Sequence, residues 1–193
     1  MYLVFPRIAV RLHVLTVPAV CMLFWLEGTY AAALLLLAAF VHECGHLAAL
    51  RAFGIVVKRI DVLPMGAVIA YDDSLCPHSQ TAWIAFAGAG ANLLAGAVCL
   101  PFLHSLYAMY FFAVNLALAI TNLTPIETLD GGTMLRSLLM LGDHADRAEQ
   151  LCRTVSRVSL LLLAAALIWL GMYSSFPIWH LLLSAVMLMQ IFR

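Results

Sequence analysis

Long apolar stretches, each broken by charge, proline or glycine, dominate the chain. They run near residues 12 to 27, 30 to 51, 81 to 103, 106 to 126, 157 to 173 and 177 to 192. Most approach the roughly 20 residues that an α-helix needs to cross a bilayer core. The pattern predicts an α-helical integral membrane protein with about six transmembrane helices. Between the second and third runs the pattern changes. Ile55-Val56-Val57-Lys58-Arg59-Ile60-Asp61-Val62-Leu63 and Ala67-Val68-Ile69-Ala70-Tyr71 flank Pro64-Met65-Gly66. These β-branched runs are too short and too charged to span, so they predict a short membrane-associated β-hairpin between helices 2 and 3. Residues 132 to 157 are the only extended charged stretch. They read as a cytosolic connector of two helices broken at Gly142-Asp143, with Asp143 capping the second.

Composition makes lipid the main solvent: 65% of the 193 residues are hydrophobic and 10% charged, with a mean hydropathy of +1.01. That length leaves room for one membrane domain over 1–193. It would consist of a core at 30–135, the connector at 132–157 and a C-terminal helical hairpin at 157–193. The formal net charge is zero, and no basic tract suggests nucleic acid or a headgroup address. Arg7 and Arg11 ahead of the first apolar run give it the outline of a signal peptide, but another apolar helix follows where a polar mature start would be expected. Five cysteines form no CxxC pair and suit small apolar positions better than disulfides. Cys76 and His78 make a lone C-x-H that reads as loop.

Threading the six spans puts all ten basic residues, from Arg7 to Arg193, on one side. By the positive-inside rule that side is the cytoplasm. The expectation is a multi-pass protein of the cell membrane with both termini cytoplasmic.

The second run contains His42-Glu43-Cys44-Gly45-His46. A spacing of four stacks both imidazoles on one helix face, where they can share a zinc ion, with Glu43 beside the metal as a base for its water. Chance would produce this pattern in roughly one such sequence in two hundred. Three ionisable groups inside a membrane helix also cost roughly 3 kcal/mol apiece and mark function. His42 lies about 13 Å from the end of the helix at Arg51, at a rise of 1.5 Å per residue, so the site is submerged but nearer the cytosol. Water must reach it through a polar cavity. A catalytic zinc takes three protein ligands, and two histidines are one short. Asp130, beside Gly131-Gly132 after the helix break at Pro125, is the expected third ligand, with Glu127 as its rival.

These segments resemble the site-2 protease family of intramembrane zinc metalloproteases (peptidase M50 type), in particular its short bacterial stage IV sporulation protease group. His42-Glu43-Cys44-Gly45-His46 matches the family's HExxH. Asn122-Leu123-Thr124-Pro125-Ile126-Glu127-Thr128-Leu129-Asp130-Gly131-Gly132 resembles its Asn-x-x-Pro-x-x-x-Leu-Asp-Gly-Gly motif. Residues 87 to 93 resemble its Gly-Pro-x-x-Asn segment and residues 63 to 67 its Pro-x-Gly-Gly turn, with Ala89 in place of Pro and Ala67 in place of Gly. The resemblance covers residues 35 to 135. It implies one zinc per chain, Asp130 as the third ligand, and Asn122 as a residue that orients substrate or stabilises the developing oxyanion. Asn92 and Gly66, in the matching segments, are expected near substrate.

The expected activity is hydrolysis of a peptide bond in or near a transmembrane segment. The substrate helix would unwind and its extended stretch would add to the hairpin edge near Val62 to Tyr71. Expected partners are that membrane-protein substrate and the lipid bilayer, with a homo-oligomer or a regulatory membrane partner left open. Two other classes use similar residues. A membrane zinc-binding or zinc-transport protein would need further acidic or histidine sites along a path, and a catalytically dead chaperone would carry a damaged motif.

Overall fold

The structure, a computed structural model, describes residues 2–5, 8–64, 66–72, 76–142 and 145–173. They fall into two compact units, one through Asn122 and one from Leu123 onward.

The first unit opens with two short strands, β1 (Tyr2–Phe5) and β2 (Ile8–Leu12). Then come α1 (Thr16–Glu27), α2 (Thr29–Ala52), β3 (Val57–Leu63), β4 (Gly66–Tyr71), α3 (His78–Cys99), a 3-10 turn at Leu100–Phe102, and α4 (Leu106–Leu123). The four strands form one sheet in the order β1-β2-β3-β4. β3 and β4 pair antiparallel, Val62 opposite Ala67 and Leu63 opposite Gly66.

The expected first span, 12 to 27, is shortened at its start, since Leu12 closes β2 and the helix begins only at Thr16. Residues 9 to 12 of β2 pair parallel with β3, Ala9 opposite Arg59, Arg11 opposite Asp61 and Leu12 opposite Val62. The His13 N–H and the Thr16 hydroxyl both donate to the Val62 carbonyl at 3.0 Å. Anchored there, the chain leaves a helix of 12 residues, about 18 Å long at 1.5 Å per residue and short of a ~30 Å hydrocarbon core. Three helices among the described residues are long and apolar enough to cross a membrane: Thr29–Ala52, His78–Phe102 and Leu106–Leu123. The chain is accordingly a membrane protein with large apolar groups on its outside, Trp25 being 82% exposed and Leu94 71%. Its interior is built from small side chains, Ala32, Ala38, Ala82, Ala85, Ala89 and Ala119, which let apolar helices approach closely.

The second unit begins with a tight passage through Thr124–Leu129. There the Ile126 N–H donates to the Thr124 carbonyl at 2.7 Å and the Leu129 N–H to that of Ile126 at 2.9 Å. Helix α5 (Asp130–Leu139) follows, then α6 (Ala145–Tyr173). The sharp change of direction thus lies before Asp130, and Gly131-Gly132 fall in the first turn of α5. A Cβ on Gly131 would strike the Leu123 carbonyl and one on Gly132 that of Ile126, so the doublet permits close approach of backbone to helix. No helix boundary occurs at residue 157. α6 runs unbroken through it because neither Pro nor Gly interrupts residues 145 to 170. Arg153 and, from α5, Arg136 both pair with Glu149, at 3.3 and 3.2 Å, and hold its carboxyl below the usual carboxylate range. The Asp143 cap and the span at 177–192 lie outside the described residues.

Candidate metal centre

The histidines of the His-Glu-x-x-His motif sit where α2 and α3 press together. At Gly45 a Cβ would lie 2.8 Å from that of Ala91 and would strike the Ala87 carbonyl, so glycine on one helix and alanine on the other set the approach. Close contact brings Ile84, Gly88 and Asn92, spaced by four on one face of α3, alongside His46 and His42.

Each histidine is tethered through Nδ1. His46 Nδ1 lies 2.8 Å from the Ile84 carbonyl oxygen, which can only accept, so this nitrogen carries the proton. His42 Nδ1 lies 2.7 Å from Asn92 Oδ1. The Asn92 amide is oriented by its own donations, from Nδ2 to the Ala38 carbonyl at 2.9 Å and to Asn115 Oδ1 at 2.8 Å. Its oxygen therefore faces His42, whose Nδ1 must also be the protonated nitrogen.

Both Nε2 atoms then present a lone pair, and the two stand 3.1 Å apart. Two acceptors cannot hydrogen-bond to one another, so the arrangement is repulsive unless a cation is shared between them. Two nitrogens bound to one tetrahedral zinc at about 2.05 Å would stand roughly 3.3 Å apart, close to the observed separation. Gly88 keeps this space open. A Cβ there would lie 2.7 Å from both His42 Nε2 and His42 Cε1 and would strike His46 Nε2. Donor chemistry and space both suit a divalent metal.

Glu43 turns toward the sheet, where its Oε1 accepts the Ala67 N–H at 3.3 Å. The ladder explains why that N–H is available. Val62 gives its carbonyl to His13 on the β2 side, so it is not hydrogen-bonded across to Ala67, and Ala67 presents its own N–H on the outer edge of β4. Ile69, two residues on, repeats this orientation. β3 is enclosed by β2, which leaves β4 as the edge strand beside Glu43.

The other expected residues are distributed as follows. Asn92 is fully buried, with both amide protons donated inside the first unit. Asn122 is half-buried in the last turn of α4, and its Nδ2 donates to the Leu118 carbonyl at 2.9 Å. Gly66 opens β4, exposed, with a φ of 141° that favours glycine. Asp130, half-buried, is the first residue of α5 in the second unit. Glu127 is exposed, and its N–H donates to the buried Ser156 hydroxyl at 3.0 Å. Cys76 of the C-x-H pair has Thr81 Oγ1 at 3.5 Å and Gln80 Oε1 at 3.8 Å, local loop contacts. Sequence reasoning missed Ile84, Gly88 and Asn115. Their signals were the spacing of four from Ile84 through Gly88 to Asn92, and an asparagine within an apolar helix.

The model of peptidase family M50 matches residues 30–108 and 102–165. Rip3 of Mycobacterium tuberculosis, whose name assigns it provisionally to the zinc metalloproteases, is 31% identical over 164 residues, 78% of this chain and 41% of Rip3. The protein sll0528 of Synechocystis sp., named in the same way, is 33% identical over 127 residues, 60% of this chain and 32% of its own length. The chain thus spans well under half the length of these curated relatives. A solved structure of a site-2 protease from Methanocaldococcus jannaschii matches with a TM-score of 0.68 at 21% identity, over 98% of this chain and 92% of that one, and so shares its fold. With two matched segments that together cover well over half of its length, the chain belongs to peptidase family M50.

Proposed function

We propose that this protein is an intramembrane zinc metalloprotease that hydrolyses a peptide bond in or near the transmembrane segment of a membrane-bound substrate. The observation that carries the reading is the pair of Nδ1-tethered histidines with opposed Nε2 lone pairs. Family membership and the names of the relatives support it.

His42, His46 and Asp130 would hold one zinc per chain. Asp130 enters on its motif and on its place in the first turn of α5. Bound there, zinc supplies Lewis acidity that polarises the scissile carbonyl and makes water acidic enough to deprotonate near neutral pH. Glu43 takes the proton from the attacking water and passes it to the leaving amine. Because Glu43 Oε1 already accepts the Ala67 N–H, the catalytic carboxylate and the β4 edge are in register with each other. An unwound substrate added to β4 would present its backbone to Ala67 and Ile69, with the reacting bond delivered beside Glu43. This narrows the expected edge from Val62–Tyr71 to β4 alone, since β2 covers β3. Asn122 would orient substrate or the developing oxyanion, and exposed Gly66 would let substrate pass close to the backbone.

The proposed setting is a multi-pass protein of about six spans in the cell membrane, the 12-residue α1 crossing where the bilayer thins around it, with the hairpin membrane-associated, both termini cytoplasmic and the site nearer the cytoplasm. The one-sided placement of all ten basic residues supports it. A second copy or a regulatory membrane protein could join the assembly. Metal transport is the reading to exclude. Purified protein should contain one zinc per chain and cleave a single-pass membrane substrate, with cleavage abolished by a chelator and restored by zinc. Zinc binding without any cleavage across a panel of single-pass substrates would favour the transport class.

A further inference from the structure

We propose that Asn115, on α4, is a positioning residue of the metal centre that acts through the Asn92 amide on the imidazole of His42. The inference rests on the metal reading above.

Asn92 and Asn115 are both 0% exposed, two amides set among apolar residues in the middle of their helices. Their polar atoms form one directed chain. Asn115 Nδ2 donates to the Phe111 carbonyl at 2.8 Å, one turn back on its own helix. That donation leaves Asn115 Oδ1 to accept from Asn92 Nδ2 at 2.8 Å. Asn92 Nδ2 also donates to the Ala38 carbonyl, and Asn92 Oδ1 faces His42 Nδ1 at 2.7 Å. Reversing the Asn92 amide would set its oxygen against the two acceptors Ala38 O and Asn115 Oδ1, and its NH2 against a ring N–H. A donor facing Nδ1 would drive the His42 proton to Nε2, removing the lone pair that a metal needs. Asn115 therefore fixes one link from the metal ligand, and places α4 in mechanical connection with α2. Partners of this kind tune metal affinity by roughly 10- to 100-fold.

The test compares Asn115→Ala, Asn115→Leu and Asn115→Asp in the full chain. A buried aspartic acid stays protonated, so it retains an acceptor oxygen for Asn92 and an O–H for the Phe111 carbonyl. Two readouts apply: zinc affinity by chelator competition, and the His42 tautomer by 15N NMR of zinc-free protein. Asn115→Ala and Asn115→Leu should bind zinc about 10-fold more weakly and show His42 protonated at Nε2 in part of the population. Asn115→Asp should stay within about 3-fold of wild type with Nδ1 protonated, since it keeps the relay that sets affinity. Wild-type affinity and tautomer in the alanine and leucine variants would overturn the proposal. So would an aspartate variant as impaired as alanine, or loss of fold in both alanine and leucine variants, which would make Asn115 a folding residue. Should the wild type bind no zinc, the metal reading fails, while the tautomer of zinc-free protein still decides whether the relay exists.

Discussion

Gly88→Ala adds one methyl group to the space between the two imidazoles. The new Cβ would stand 2.7 Å from His42 Cε1 and Nε2, and nearer still to His46 Nε2. Ordinary contacts lie at about 3.5–4.0 Å, so the overlap approaches 1 Å. Neither ring can retreat cheaply. His42 is tied to the fully buried Asn92 and His46 to the Ile84 carbonyl, so a retreat of either ring, or of α3 as a whole, stretches these hydrogen bonds. Overpacking of this kind costs roughly 1–3 kcal/mol, part of it relieved by turning the rings away from their tethers. Loss of that support should weaken zinc binding by at least about 10-fold, the lower end for disturbed ligand support. The assay is chelator competition on purified protein, with thermal unfolding beside it. Gly90→Ala is the control, since its Cβ would meet only the Phe86 ring, at 3.3 Å, and should leave zinc affinity unchanged. Wild-type zinc affinity and cleavage in Gly88→Ala would refute the claim that the histidine pair and the space beside Gly88 form the metal site.

Asp130→Ala should lose most of the zinc while Glu127→Ala keeps it; metal analysis showing the reverse would make Glu127 the third ligand. Ile69→Pro removes an N–H from the outer edge of β4 and none from the β3 ladder. It should slow cleavage several-fold or more at unchanged zinc content, and unaltered turnover would argue against strand addition there. Gln150→Cys, exposed on α6, should react with impermeant thiol reagents from the cytoplasmic face; labelling from outside would invert the topology.

Local signals were readable in the sequence, and long-range ones were not. A spacing of four is a property of the helix alone, so the shared face of His42 and His46 could be written down before any fold was known, and their Nε2 atoms do meet. The Pro64-Met65-Gly66 turn gave the pairing of residues 57–63 with 66–71 in the same way. The strand at Ile8–Leu12 was hidden because five residues interrupted by Arg11 carry little periodicity of their own, and their partner β3 lies about fifty residues on. What Asn92 does could not be read either. Its amide is set by Ala38 and Asn115, and only tertiary contact tells a substrate-facing asparagine from one whose protons are already donated. At residue 157 a change from charged to apolar suggested a helix boundary, but a helix continues through a change of solvent when nothing breaks its backbone.

Glu43→Gln tests the central claim most directly. The amide keeps the size of the side chain and an acceptor for the Ala67 N–H, but it cannot take a proton from water. Zinc content and turnover of a single-pass membrane substrate are measured on the same preparation. Wild-type zinc is expected, with cleavage reduced by roughly 10² to 10⁴, the usual contribution of a general base, and substrate still bound. Near wild-type cleavage with the zinc in place would contradict it.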